Sequence, residues 1–277
     1  MRKRFFSKLR RTNRGTGLAT SFSVREPRPD ISEYQLSDSS LATLSDEDLN
    51  PKLIAALRSP DPVTLRSLLT LVHPDIYLVT IFDPQWCHRM LCELDSFEEW
   101  VEQTGCRVET PNSMNNYGVI LSQIGLGPML DDVRTRVIGP MAALCFPEVG
   151  GASLEEVHGF VVEYQPRKDR SLGFHVDDSD VTLNLCLGRE FSGGDLYFEG
   201  RRCERHRQTG CSSEDRFVWE HRVGQGLLHA GKHRHGAMPI VKGIRQNLIL
   251  WCRSPTYRLH YQEADSCPDW CRESMLR

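Results

Sequence analysis

The sequence lacks any run near the roughly 18 consecutive apolar residues that a membrane-spanning helix needs. Behind its first residues it also lacks the apolar stretch of a secretory signal. Neither a membrane partner nor passage through the secretory route is therefore expected. The 277-residue chain reads as intracellular, in cytoplasm or nucleus. Acidic residues are missing from the start: Arg2, Lys3, Arg4, Lys8, Arg10, Arg11 and Arg14 all precede Glu26. Such a start fits a mitochondrial transit peptide, a nuclear import signal or a solvated basic tail. An overall positive charge is missing too. At a net −3, nothing apart from that basic start points to nucleic acid. Internal repeats are absent, and the hydrophobic fraction of 39% is slightly low, so part of the chain reads as poorly ordered.

Paired CxxC spacings are also absent. Ten cysteines are scattered through a chain with no secretory signal, which makes reduced thiols the expectation. The nearest clusters are Cys203-x2-His206-x4-Cys211 and Cys267-x3-Cys271. Both are looser than doubled zinc spacings and read as loop cysteines, with a structural zinc as the alternative.

What is present falls into three parts. Residues 1–70 form a polar region with a basic start, partly disordered. Within it, "SDEDLNPKLIAALRS" reads as a short helix capped by Ser45 and Asp46, with Leu53, Ile54 and Leu57 on its apolar face. A second helix is expected over "DPVTLRSLLTLVHPD", where Leu65, Leu68, Leu69 and Val72 recur at helical spacing and Pro74 ends the run. "IYLVTIF" reads as a strand. A helix then starts at Asp83-Pro84, carries Trp86, Met90, Leu94 and Phe97 inward and closes at Gly105. Another covers 127–144 with Leu130, Val133, Val137, Ile138 and Met141 inward. After Gly150 the pattern changes to short strands separated by Gly, Asp and Ser, as in a sandwich or barrel. Gly193-Gly194 marks one of the turns. The polar stretch 201–216 lies between strands as a lid, a recognition loop or a plain insertion.

"GFHVDDSD" carries one histidine and three carboxylates with no lysine or arginine between them. On a strand, side chains alternate faces, so His175 and Asp177 share a face that Asp178 does not. Alone, His-x-Asp is common and reads as an ordinary satisfied polar pair ahead of a metal clamp. Farther on, "GLLHAGKHRHGAMPIVKGIRQNLILW" supplies His229, His233 and His235, then Arg245 at the head of an apolar run. Two histidines and one carboxylate with positions left open form the facial triad of non-haem iron(II) oxygenases. A buried arginine calls for an anion, and a carboxylate suits its forked donors. The plainer reading of Arg245 is a rim residue at a strand end.

Taken together, "VVEYQPRKDRSLGFHVDDSDVTLNLCLG", "FSGGDLYFEG" and the His229–Trp251 segment resemble the catalytic domain of 2-oxoglutarate- and iron(II)-dependent oxygenases, in the prolyl and lysyl hydroxylase branch. The similarity extends back to about Ile76, takes in "PNSMNNYGVILSQIGL" and continues into "SCPDWCRESM". The resemblance implies a mixed α/β (α+β) fold, a double-stranded β-helix or jelly roll with supporting N-terminal helices. It places the oxygenase domain at 71–257, with the core roll at about 155–255, and a cysteine-containing tail at 258–277. It makes His175, Asp177 and His235 the ligands of Fe(2+), and it gives Arg245 the distal carboxylate of the co-substrate 2-oxoglutarate. Tyr164 and Asn184 fall at positions that contact the co-substrate. His229 matches a family histidine in a His-Pro-Gly turn, but Ala230 stands in place of the proline. The resemblance further implies use of O2, with L-ascorbate as an accessory reductant, and hydroxylation of a protein or peptide side chain with release of succinate and CO2. Two other readings use the same residues: a metal-stabilised binding or regulatory module without turnover, and a zinc hydrolase, which needs a general base that neither segment supplies.

Overall fold

The computed structural model describes residues 29–262, 267–271 and 273. The basic start up to residue 28 lies outside the described residues. After three short 3-10 turns come α1 (Pro51–Arg58), α2 (Pro62–Arg66), β1 (Thr70–His73), β2 (Ile76–Val79), α3 (Pro84–Thr104) and β3 (Gly118–Ile120). Then follow α4 (Gly127–Val133), α5 (Gly139–Cys145), β4 (Glu156–Tyr164), β5 (Leu172–His175), β6 (Val181–Gly188), β7 (Phe191–Gly193) and β8 (Leu196–Arg201). The chain continues through β9 (Arg216–Trp219), β10 (Gly226–Ala230), β11 (His233–Ala237), β12 (Ile240–Gly243), β13 (Arg245–Arg253) and α6 (Pro255–Gln262).

The fold is a double-stranded β-helix backed by helices. The major sheet runs β1-β2-β10-β6-β13-β4-β3, the minor one β5-β11-β8-β9, and β12 pairs with β7 as a flap. Every pairing is antiparallel. Strand alternation divides the major sheet between two cores. Val161, Leu183, Leu185, Leu228, Leu248 and Leu250 face the helices. Phe160, Val162, Tyr164, Leu227, Ile249 and Trp251 face the inside of the roll. Gly159 lets α4 lie close on the sheet: a Cβ there would meet Leu130 Cδ2 at 2.4 Å.

α3 forms as its caps dictate. Asp83 accepts from the Gln85 N–H, Pro84 occupies the first position and Gly105 ends the helix at φ 66°. The expected 127–144 helix is present, but its middle, Arg134–Ile138, is a π turn. Pro140 has no N–H to continue the α ladder, and Gly139 N–H reaches back to Arg134 O instead.

Three expectations need correction. α1 is capped by Asn50, whereas Ser45 and Asp46 belong to a separate 3-10 turn. The helix over 61–73 stops at Arg66, and Thr70–His73 forms strand β1. There, hydrogen bonding to β2 at the sheet edge overrides the helical spacing, and Asp75 makes the turn at φ 63°. Leu65 and Leu69 pack on the helical side while Val72 reaches the roll interior, so the apparent period joined two different elements. The apolar stretches 217–231 and 235–241 each carry parts of two strands, because β9–β10 and β11–β12 change sheets. Residues 29–70 are also well packed. Tyr34, Leu41, Leu44, Leu49 and Leu53 are buried in the helical core. The Glu93 carboxylate of α3 accepts from Tyr34 Oη (2.6 Å) and from the Ser37 and Asp38 N–H groups.

Candidate metal centre

His175 ends β5 and stands directly across the ladder from His235 on β11. Their rings lie 4.3 Å apart between centroids. Asp177 follows just beyond β5, where its N–H donates to Gly231 O in the β10–β11 turn (3.0 Å). That bond carries the carboxylate back under the two imidazoles. Asp177 Oδ1 is 3.4 Å from His175 Nε2 and 3.7 Å from His235 Nε2, and all three residues are buried.

The donor atoms are oriented from behind. His175 Nδ1–H donates to Gly173 O (2.8 Å) and His235 Nδ1–H to His233 O (2.9 Å), which leaves both Nε2 lone pairs aimed at Asp177 Oδ1. Thr182 Oγ1–H donates to Asp177 Oδ2 (2.7 Å), so Oδ1 is the oxygen left for a cation. Burial pushes His235 down to about 3, so it is neutral at pH 7, as a ligand must be. The other carboxylates of the stretch point away. Asp178 pairs with Arg253 and Arg258, both at 2.9 Å. Asp180 accepts from Arg258 Nε (3.0 Å) and the Ser254 N–H (2.7 Å).

Arg245 opens β13 and is 1% exposed. Its Nε donates to Asn247 Oδ1 (3.0 Å), Nη1 donates to Gly194 O, and its guanidinium lies 5.0 Å from the Tyr164 ring centre. Among the described residues no carboxylate pairs with it. Tyr164, its ladder partner, accepts from Asn115 Nδ2 (3.3 Å). Asn184 accepts from Asn247 Nδ2 (2.6 Å), which also bonds His221 Nδ1 (3.1 Å). His221 Nε2–H is engaged by Gln225 O (2.8 Å), so its Nδ1 is the acceptor. One cavity, partly open to solvent, is lined by His175, Asp177, His235, Arg245, Tyr164 and Asn184 together. All six expected site residues therefore converge. His229 and His233 stay outside it as buried wall residues, ring-to-ring with Phe198 at 5.4 and 5.2 Å.

Sequence reasoning missed Thr182, Asn247, His221 and Asn115. Two of these were legible. Thr182 precedes Asn184 by two residues and Asn247 follows Arg245 by two, the same alternation that paired His175 with Asp177. His221 and Asn115 come from loops and carry no such signal.

Residues 31–151 match the OGFOD2-like domain. Relatives that match most of this chain are named 2-oxoglutarate and iron-dependent oxygenases. The chain is 42% identical to the Arabidopsis thaliana 2-oxoglutarate and iron-dependent oxygenase domain-containing protein CP2, over 80% of this chain and 57% of that one. It is 38% identical to the Homo sapiens 2-oxoglutarate and iron-dependent oxygenase domain-containing protein 2, over 84% of this chain and 65% of that one. It is 27% identical to the human multifunctional procollagen lysine hydroxylase and glycosyltransferase LH3, over 64% of this chain and 23% of that protein. The chain thus spans about three-fifths of the plant relative's length. The OGFOD2-like match covers the helical layer, whereas the metal centre lies beyond it in the roll. Among the described residues no helix is long and apolar enough to cross a membrane.

Proposed function

We propose that the chain is an Fe(II)- and 2-oxoglutarate-dependent dioxygenase that hydroxylates a protein side chain. The observation that carries this reading is the fully buried Arg245 with no carboxylate partner among the described residues, facing the cavity that also holds the His175–Asp177–His235 cluster. A buried cation without a counter-ion is costly, and an anionic ligand removes that cost. Two imidazoles and one carboxylate suit ferrous iron and leave coordination positions open.

In this reading His175 Nε2, Asp177 Oδ1 and His235 Nε2 hold the iron. The Arg245 fork takes the distal carboxylate of 2-oxoglutarate by paired N–H donors. Asn247 fixes the guanidinium plane through Nε, while Tyr164 lies beneath it and Asn184 anchors Asn247. When bound, ferrous iron with its co-substrate and O2 supplies oxidative decarboxylation to succinate and CO2, coupled to hydroxylation, and ascorbate keeps the metal reduced. The roll walls Phe160, Leu196, Ile249 and Trp251 keep the cavity apolar around its polar end.

A wider groove adjoins the cavity, sharing His175, Asn112 and Met114 and rimmed by Glu156, Arg207 and Arg253. Its charged rim supports a polypeptide lying along it with one side chain inserted, in keeping with the lysine hydroxylase among the relatives. The reading is tested by succinate formation from 2-oxoglutarate with iron(II) and ascorbate. Wild type is expected to turn over and Arg245→Ala to lose at least about 30-fold, the effect of removing one partner of a buried charge pair. Protein that holds metal yet forms no succinate with any candidate peptide is instead a binding module.

A further inference from the structure

Four side chains outside the roll cavity meet just beyond the end of β8, beside the helical core. Cys203 and His206 flank a 3-10 turn that leaves β8, and Cys267 and Cys271 come from the tail beyond α6. Cys203 Sγ lies 3.3 Å from His206 Nδ1 and 3.8 Å from Cys267 Sγ. His206 Nδ1 is 3.4 Å from Cys267 Sγ and 3.5 Å from Cys271 Sγ. All four donor atoms fall within 4.8 Å of one another.

These four separations match edges of a tetrahedron that a single ion would fill. Zinc bonds of about 2.3 Å to sulfur and 2.0–2.1 Å to nitrogen give edges of about 3.8 Å between sulfurs and 3.6 Å between sulfur and nitrogen. A disulfide would bring the sulfurs to about 2.05 Å, and none joins Cys203, Cys267 and Cys271 to one another. The Cys203 backbone N–H also points at Cys271 Sγ (3.3 Å), the kind of outer-shell bond that steadies a metal-bound sulfur. Three soft sulfurs and one imidazole close a four-coordinate shell, which favours zinc and leaves no position for substrate.

We propose that Cys203, His206, Cys267 and Cys271 bind a structural zinc ion that clamps the C-terminal tail to the loop between β8 and β9. The clamp lies next to strand β11. Arg201, two residues before Cys203, pairs across the ladder with His233, two residues before His235. Arg201 also stacks on Trp270 of the tail, at 5.0 Å, and Arg202 pairs with Glu273 at 3.3 Å. The ion thus fastens the tail against the strand that carries one candidate iron ligand. Cys211 is outside the group, so each sequence cluster supplied one half of the site, with more than sixty residues between the halves.

The test is metal analysis of the full chain purified without chelator, by elemental and native mass spectrometry. One zinc per chain is expected. Asp177→Ala should retain it, whereas Cys271→Ser and His206→Ala should each lower it at least tenfold. Titration of the folded wild-type protein with a mercurial thiol reagent, read by a zinc indicator, needs no variant and should release one equivalent. Cobalt(II) in place of zinc should give the intense visible bands of a tetrahedral thiolate site. The proposal is overturned by absence of zinc both as purified and after zinc addition, or by a Cys203–Cys267 disulfide in the native protein. Zinc lost in Asp177→Ala but kept in Cys271→Ser overturns it equally. None of these readouts depends on turnover.

Discussion

Arg245→Met separates the co-substrate role of this residue from any role in folding. In wild type without ligand, the charge is buried and no carboxylate among the described residues forms an ion pair with it, at an expected penalty of several kcal/mol. The variant removes that penalty and strands two acceptors, Asn247 Oδ1 and Gly194 O, at about 1–3 kcal/mol each. The opposing terms are of similar size, so the ligand-free variant should lie within about 2 kcal/mol of wild type. The response to 2-oxoglutarate should differ sharply. At a hundred times its Kd, the ligand adds about 2.7 kcal/mol to wild type, a Tm rise of roughly 5–10 °C for a chain of this size. The variant should show almost none. Calorimetry on protein loaded with manganese(II), a redox-quiet substitute for iron, measures both quantities. An equal Tm rise in the two proteins, or a ligand-free loss above about 4 kcal/mol, would refute the reasoning.

Thr182→Val removes the hydroxyl that orients Asp177 and should weaken metal affinity about 10–100-fold with little change in fold, as metal titration would show. Asp178→Asn should leave metal content unchanged, because that carboxylate pairs with Arg253 and Arg258, whereas Asp177→Asn should abolish binding; equal losses would contradict the assignment of faces. Burial and the nearby Arg245 push the His221 imidazole down to about 3. The unfolded chain takes up that proton near pH 6.5 and the native chain does not, so stability is full above about 6.5 and falls by about 1.4 kcal/mol per pH unit below it. His221→Gln should flatten this fall by about one proton in denaturation curves taken between pH 4 and 7.

Much of the centre was legible because a strand imposes a period of two. That period singled out His175 and Asp177 and set Asp178 apart, although Asp177 lies just past β5 and is held by its N–H bond to Gly231; extended, it would have found Thr182 and Asn247. It could not show that His235 stands opposite His175, since this depends on how β5 and β11 pair in space. The helical layer was legible where caps are strong, at Asp83-Pro84 and Gly105. It misled at 61–73, where Leu65, Leu69 and Val72 keep a helical spacing while serving two different cores. A single period cannot report a change of element when apolar residues stay in step across the boundary. The cysteine clusters were visible as halves, but their union depends on where the tail returns.

The proposed function requires the cavity to couple 2-oxoglutarate decarboxylation to activation of dioxygen. Turnover under isotopically heavy dioxygen measures that coupling. Wild type is expected to give succinate carrying one heavy oxygen atom, with the product absent in Asp177→Ala. Succinate that forms without the label, or labelled succinate that persists in Asp177→Ala, would contradict it.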